Sequence, residues 1–271
     1  MPELPEVEVT RRGISNVLLH AKITKIEHDD KKLREPYSPL IHDIEGGFIS
    51  AVDRRAKYII IRTDKGSLIV HLGMTGHFHI TEESELKLHD HFALFLDNGK
   101  NVILNDTRRF GLVIYVPSGE DPLADRHLKS LGPEPFSADF TAQYLLSKLK
   151  SKKKTIKQAL MEGEIVVGIG NIYASEILFA CKILPTRSAA SVSLAEAENI
   201  VKNTQRILQE SILKGGTTIR DFEGADGEKG YFVQNLFVYG HEGKPCKVCG
   251  TKIEQVTLGQ RSTYYCPKCQ K

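Results

Sequence analysis

Tyr58-Ile59-Ile60-Ile61-Arg62-Thr63-Asp64-Lys65-Gly66-Ser67-Leu68-Ile69-Val70 is the stretch on which the fold of this 271-residue chain turns. Two runs of β-branched and apolar residues flank Asp64-Lys65-Gly66, the composition of a turn between antiparallel strands. Working outward, Phe92 to Leu96 and Val102 to Leu104 flank Asn98-Gly99, a strong hairpin signal, and Leu112 to Val116 supplies a further strand. On the N-terminal side, Leu4, Val7, Ile14, Val17 and Leu18 fall on one face of a helix. A proline and several acids in its first turn suit the orphan amides and the positive end of the helix dipole. Residues 1–118 therefore read as an antiparallel β-sandwich with a leading helix.

Pro117-Ser118-Gly119 opens a linker over 119–138, which ends in Gly132-Pro133-Glu134-Pro135. From Asp139 the apolar period becomes helical, so the fold class is α+β. The spacing predicts helices at Thr141 to Lys150, Thr155 to Glu162 and Asn171 to Lys182. A longer one opens at the capping box Ser193-Leu194-Ala195-Glu196 and stops at Gly215-Gly216. This helical domain covers 139–234 and includes residues 217 to 230, rich in Gly, Thr and charge, which read as a mobile loop.

A hydrophobic content of 41% supplies real cores. No apolar run approaches the ~20 residues of a membrane span, and the N-terminus lacks a basic segment followed by an apolar signal core. The expectation is a soluble, cytoplasmic protein. The net charge of +3 is unevenly placed: residues 240–271 hold six Lys/Arg against two acids, whereas the first 239 carry 31 against 32. A basic tail suits phosphate binding and equally suits a solvated surface.

Within that tail, Cys246, Cys249, Cys266 and Cys269 form two C-x-x-C pairs separated by 16 residues. Without a secretory signal, this spacing points to one zinc ion held by four thiolates in residues 235–271. Four sulfurs leave no open coordination position, so the ion is expected to hold the fold and do no chemistry. The intervening residues read as a hairpin with Gly259-Gln260-Arg261-Ser262-Thr263 at its tip; spacing alone leaves Arg261 either a phosphate fork or an exposed turn residue. Cys181 reads as a core residue.

At the other end, Met1-Pro2-Glu3-Leu4-Pro5-Glu6-Val7-Glu8 puts a secondary amine beside a carboxylate once Met1 is removed. An α-amino group with a pKa of ~8 is partly unprotonated at neutral pH and can attack an aldehyde-like carbon. Pro2 to Glu8, followed by Arg11-Arg12-Gly13, resembles the start of bacterial formamidopyrimidine-DNA glycosylases, which remove oxidised purines in base-excision repair. Arg54-Arg55-Ala56-Lys57-Tyr58, read as opening a strand, matches a second motif of that family. His71-Leu72-Gly73-Met74-Thr75-Gly76 with Asn105-Asp106-Thr107-Arg108-Arg109-Phe110-Gly111 matches a third, and Val166 to Glu176 a fourth. The zinc-finger tip is the last, so the resemblance covers nearly the whole chain.

The resemblance implies a catalytic N-terminal domain, a helix-two-turn-helix domain with a lesion loop at about 217–229, and a zinc finger. It implies a glycosylase and AP lyase that forms a Schiff base on Pro2, with Glu3 as general acid for sugar-ring opening and Lys57 and Arg261 assisting elimination. Met74, Arg108 and Phe110 would enter the duplex where the base is extruded, Arg108 facing the orphaned cytosine. His89, Lys152 and Asn171 would contact DNA phosphates, although His89-Asp90-His91 taken alone also suggests a metal. The partner would be damaged double-stranded DNA, and the default state a monomer. Relatives directed at oxidised pyrimidines, of the endonuclease VIII type, usually carry glycine at the position of Leu4. A non-catalytic zinc-ribbon DNA-binding protein is the rival from another class, disfavoured by the presence of Pro2, Glu3 and Lys57.

Overall fold

The computed structural model describes residues 1–216 and 232–271, so the loop expected at 217–230 lies outside the described residues. Helix α1 (Leu4–Leu18) buries the predicted face, with Leu4, Val7, Ile14 and Leu18 at 0–1% exposure and Val17 packed against the same core. Eight strands follow: β1 (Ile23–His28), β2 (Ile49–Arg55), β3 (Tyr58–Thr63), β4 (Gly66–His71), β5 (His77–Thr81), β6 (Asp90–Leu96), β7 (Asn101–Asn105) and β8 (Leu112–Pro117). They form two antiparallel four-stranded sheets, ordered β1-β6-β7-β5 and β2-β3-β4-β8. Ile59, Ile61, Leu68 and Val70 of the opening stretch point into the core with Phe78, Phe92 and Leu104. Its register, Tyr58 opposite His71 and Thr63 opposite Gly66, leaves Asp64 and Lys65 as the loop.

Strands β1, β2 and β5 were not legible in the sequence. In β1 and β2 the pairing register shifts after Ile23 and after Ile49, and each bulge breaks the period-2 alternation that marks a strand. The β2 assignment also corrects the reading of Arg54-Arg55 as the opening of a strand. They close β2, and Ala56 and Lys57 form the turn into β3.

Residues 131–213 and 232–271 form a second compact unit. Its helices are α2 (Ala142–Leu149), α3 (Ile156–Leu160), α4 (Asn171–Ala180) and α5 (Leu194–Leu213). The capping box of α5 forms as its sequence predicts: Glu196 accepts from the Ser193 amide at 2.8 Å, and the Ser193 hydroxyl accepts from the Glu196 amide at 3.3 Å. Helix α4 stops short of Lys182, which adopts a left-handed φ of 60°. The Ile183 amide reaches the Leu178 carbonyl and the Lys182 amide that of Phe179, both at 3.0 Å, the paired bonds of a Schellman ending. The chain closes with the hairpin β9 (Glu254–Leu258) and β10 (Arg261–Tyr265). Arg261 pairs with Leu258, so the expected five-residue tip narrows to Gly259 and Gln260, both at positive φ, as a type I′ turn requires. Among the described residues no helix is long and apolar enough to cross a membrane.

Candidate functional site

Pro2 and Glu3 are buried immediately before α1, and Glu3 is the N-cap residue of that helix, 2% exposed. Glu6 reaches back one turn to accept from the Glu3 amide at 2.8 Å, which fixes the backbone entering the helix. Two residues further on, Glu8 gathers three arginines. Arg11 contacts it at 2.9 Å, Arg12 at 2.7 Å and Arg54 at 3.2 Å. Burial pushes the Glu8 carboxyl up, but hydrogen bonds from Arg11 and Arg12 and the charges of Arg11 and Arg54 outweigh it and leave the pKa at about 2. Arg54 also donates to the Ala56 carbonyl at 3.0 Å. Ala56 sits at a left-handed φ of 55°, unusual for a residue with a Cβ, and its successor is Lys57.

Lys57 lies near His71, the cross-strand partner of Tyr58, whose ring centroid is 4.8 Å away. Burial holds the His71 imidazole down to about pKa 3, with the charges of Arg34, Lys57 and His127 adding to the effect. The ring is therefore neutral, and its Nδ1 accepts from the Gly73 amide at 2.9 Å. That bond anchors the loop carrying Met74. Gly73, at φ 65°, packs directly on the neighbouring loop; a Cβ there would lie 2.4 Å from the Phe110 carbonyl carbon.

Met74 is half-buried, while Arg108 and Phe110 are exposed, and the Arg108 guanidinium lies over the Phe110 ring at 4.8 Å. The structure thus brings these three predicted residues onto two adjoining loops. Between the loops sits Asp106, 0% exposed. Its Oδ1 accepts from the Thr75 hydroxyl at 2.6 Å and the Arg108 amide at 3.3 Å, and its Oδ2 from the Gly111 amide at 2.7 Å. Its own amide donates to the His89 carbonyl at 3.0 Å, and His89 has a left-handed φ of 73°. His89-Asp90-His91 does not converge on a metal. His91 pairs with Asp29 at 3.0 Å, Asp90 accepts from Asn105 at 2.8 Å, and the four clustered cysteines are the one metal-ligating group among the described residues. Arg109 is likewise structural, paired with Asp29.

In the second unit, Asn171 opens α4 directly after Gly170, and Lys157 of α3 meets it beneath the zinc hairpin. Lys157 is 1% exposed, and its Nζ donates to Asn171 Oδ1 at 2.5 Å, Thr263 Oγ1 at 2.6 Å and the Ser262 carbonyl at 3.3 Å. Arg261 is exposed at the start of β10, one residue from this junction. Lys152 stands apart from it, paired with Glu162 at 2.6 Å. Sequence reasoning named neither Lys157 nor the roles of Glu8 and Asp106, because nothing local sets them apart from solvated charges.

The four cysteine sulfurs lie within 4.8 Å of one another, with Cys246 to Cys269 at 4.0 Å and Cys249 to Cys266 at 3.4 Å. Tetrahedral zinc with Zn–S bonds of ~2.3 Å sets its sulfurs ~3.8 Å apart, so the donor set and spacing fit one ion. The Val248 amide points at the Cys246 sulfur at 3.4 Å, and Gly250 takes φ 74° to close the turn. Cys246 and Cys266 pack with Phe179, Val238 and Ile253, which ties the zinc finger to α4. Cys181 is buried, and burial pushes its thiol up to about 12.

Three family models match the chain in order. They are the formamidopyrimidine-DNA glycosylase N-terminal domain over residues 1–113, the H2TH domain of the same enzymes over 131–223, and the zinc finger found in FPG and IleRS over 243–271. A formamidopyrimidine-DNA glycosylase of Vibrio vulnificus is 46% identical over 271 residues, covering all of both chains. The MutM (Fpg) protein of Thermus thermophilus superposes with a TM-score of 0.89 at 36% identity, covering 99% of this chain and 98% of that one. A point mutant of Lactococcus lactis FPG, solved in complex with a Fapy-dG containing DNA, superposes with a TM-score of 0.91 at 32% identity over the full length of both. With family models across most of its length and relatives matched from end to end, the chain belongs to the formamidopyrimidine-DNA glycosylase family of DNA-repair enzymes.

Proposed function

We propose that this enzyme is a bifunctional glycosylase and AP lyase for oxidised purines in double-stranded DNA, acting as a cytoplasmic monomer with Pro2 as its nucleophile. The observation that carries this reading is the position of Pro2. Removal of Met1 leaves its secondary amine beside the buried N-cap carboxylate of Glu3, on a helix whose first turn is fixed by Glu6.

In the proposed reaction the Pro2 nitrogen attacks C1′ of the damaged nucleotide, and the C1′–N bond to the oxidised base breaks with its electron pair leaving on the base. Glu3 takes the proton that the attacking Pro2 nitrogen sheds and donates it to the ring oxygen as the deoxyribose opens, giving a cationic Schiff base. That iminium takes up the electrons released when a C2′ proton is removed, and they expel the 3′ phosphate from C3′ by β-elimination; removal of the C4′ proton of the resulting unsaturated iminium then expels the 5′ phosphate from C5′ by δ-elimination. Lys57 and Arg261 hold these phosphates and assist their departure, and hydrolysis then frees Pro2. His89, Lys152 and Asn171 bind the DNA backbone, while Met74, Arg108 and Phe110 fill the space left by the extruded nucleotide. The functional segments are 1–118 for catalysis, 139–234 for the helix-two-turn-helix and 235–271 for the zinc finger. The zinc ion, on Cys246, Cys249, Cys266 and Cys269, keeps the hairpin of Arg261 folded and takes no part in the chemistry.

Borohydride trapping on a duplex with one 8-oxoguanine opposite cytosine, followed by N-terminal peptide mass mapping, tests the reading. A trapped adduct on Pro2 supports it. Tight binding without an adduct favours the non-catalytic reading, and an adduct formed only with oxidised pyrimidines favours the endonuclease VIII type.

A further inference from the structure

We infer that Asp106 is a positioning residue for base extrusion, locking the loops of Met74, Arg108, Phe110 and His89 into one rigid wedge; this rests on the DNA-filling role proposed above. Each of those four residues either bonds to Asp106 itself or adjoins a residue that does. Arg108 donates its amide to Oδ1, Thr75 beside Met74 donates its hydroxyl to the same oxygen, and Gly111 beside Phe110 donates its amide to Oδ2. The Asp106 amide holds the His89 carbonyl, and its carbonyl accepts from the His91 ring and the Arg109 amide, both at 3.1 Å.

A fully buried carboxylate is costly unless its oxygens are satisfied, and here both are. The sandwich needs no charge at this place, because β7 closes at Asn105 with its core contacts already made by Val102 and Leu104. What the carboxylate joins is two loops that are otherwise separate in sequence, 72–76 and 105–111. Filling a gap in stacked DNA demands side chains already fixed in place, since loops that order only on binding lose affinity to their own entropy. The strained φ of His89 fits the same purpose, being held by the Asp106 amide.

The test uses the full-length enzyme under single-turnover conditions with two duplexes, one carrying 8-oxoguanine opposite cytosine and one with the lesion facing a one-nucleotide gap. Thr75→Val removes the hydroxyl that donates to Asp106 and accepts from the Arg108 amide at 3.3 Å, leaving that amide only its bond to Asp106, and is expected to slow excision opposite cytosine about fivefold. Thr75→Ser, which keeps the hydroxyl, should recover most of that loss. Asp106→Asn, which turns an N–H toward a donor, should lose more. In each case the loss should shrink on the gapped duplex, where no orphaned base waits for Arg108. Should Asp106→Asn fail to fold, Thr75→Val carries the test alone. A wild-type rate in Thr75→Val, or an equal loss on both duplexes, overturns the inference. Arg108→Ala separates it from the reading beneath: if that variant excises normally, the DNA-filling role fails, and the positioning role falls with it.

Discussion

One guanidinium, that of Arg54, joins helix α1 to the turn of Lys57: its Nε lies 3.2 Å from the Glu8 carboxylate and its Nη1 3.0 Å from the Ala56 carbonyl. Glu8→Gln keeps the shape and removes the charge that holds Arg11, Arg12 and Arg54 together. Breaking a largely buried ionic cluster from one side costs about 3 kcal/mol. Urea unfolding should show a loss of that order, and AP-site cleavage should fall more than DNA affinity as Lys57 loses its support. A midpoint unchanged from wild type would show that the cluster carries no stability.

Acid should destabilise the protein in a defined window. Glu8 and Glu196 both have folded pKa values of about 2, against 4.5 for an unperturbed glutamate. For Glu196 the Arg187 hydrogen bond is the main cause, acting against burial and helped by the Ser193 capping bonds. Because the unfolded chain holds these protons more tightly, the stabilisation is complete above pH 4.5 and is lost as the pH falls toward 2. It amounts to at most ~3 kcal/mol for Glu8 and less for the more exposed Glu196. Unfolding curves at several acidic pH values should fall more gently for Glu8→Gln than for wild type; parallel curves would count against the assignment.

Lys157→Met should weaken the junction between α4 and the zinc hairpin. The buried ammonium satisfies Asn171, Thr263 and the Ser262 carbonyl together, and leaving such groups unpaired costs about 1–3 kcal/mol each. Asn171 still donates to the Ser262 carbonyl at 3.0 Å, so part of the junction survives. The expected outcome is a lower thermal midpoint with weaker binding to DNA, by melting and by fluorescence anisotropy. Unchanged affinity would separate Asn171 orientation from Lys157.

Cys249→Ser should bring zinc content toward zero by atomic absorption, and DNA affinity should fall with it. The second compact unit should remain folded, because α2 and α5 pack on each other with Leu145, Ile200 and Leu208 fully buried. Full metal retention would refute the four-thiolate site.

What was legible in the sequence was whatever has a period or a fixed spacing. The amphipathic face of α1, the hairpins around Asp64-Lys65 and Asn98-Gly99, the Ser193 capping box and the cysteine pairs each carry a local pattern, and each appears in the structure. The strands β1 and β2 were lost because a bulge shifts their alternation, and β5 because its alternation, with only Phe78 and Ile80 apolar, runs for just five residues. The candidate site divided in the same way. Residues displayed at motif positions, such as Arg108 and Phe110, were named from the motif, whereas Glu8, Asp106 and Lys157 each depend on a partner from a distant element: Arg54, Thr75 and Thr263. No local pattern announces a buried charge whose partners arrive from other elements.

Gly73 carries a last consequence. With no room for even a methyl group between it and the Phe110 carbonyl, the spacing of the two loops is set by a hydrogen atom. Variation at Met74 or Phe110 can therefore alter the size and chemistry of the wedge while its base stays put, whereas any side chain at residue 73 would be felt as movement of Phe110. Under the gap-filling role proposed above, tolerance for new opposite bases should accordingly be tunable at the tips of these loops and closed to change at their seam.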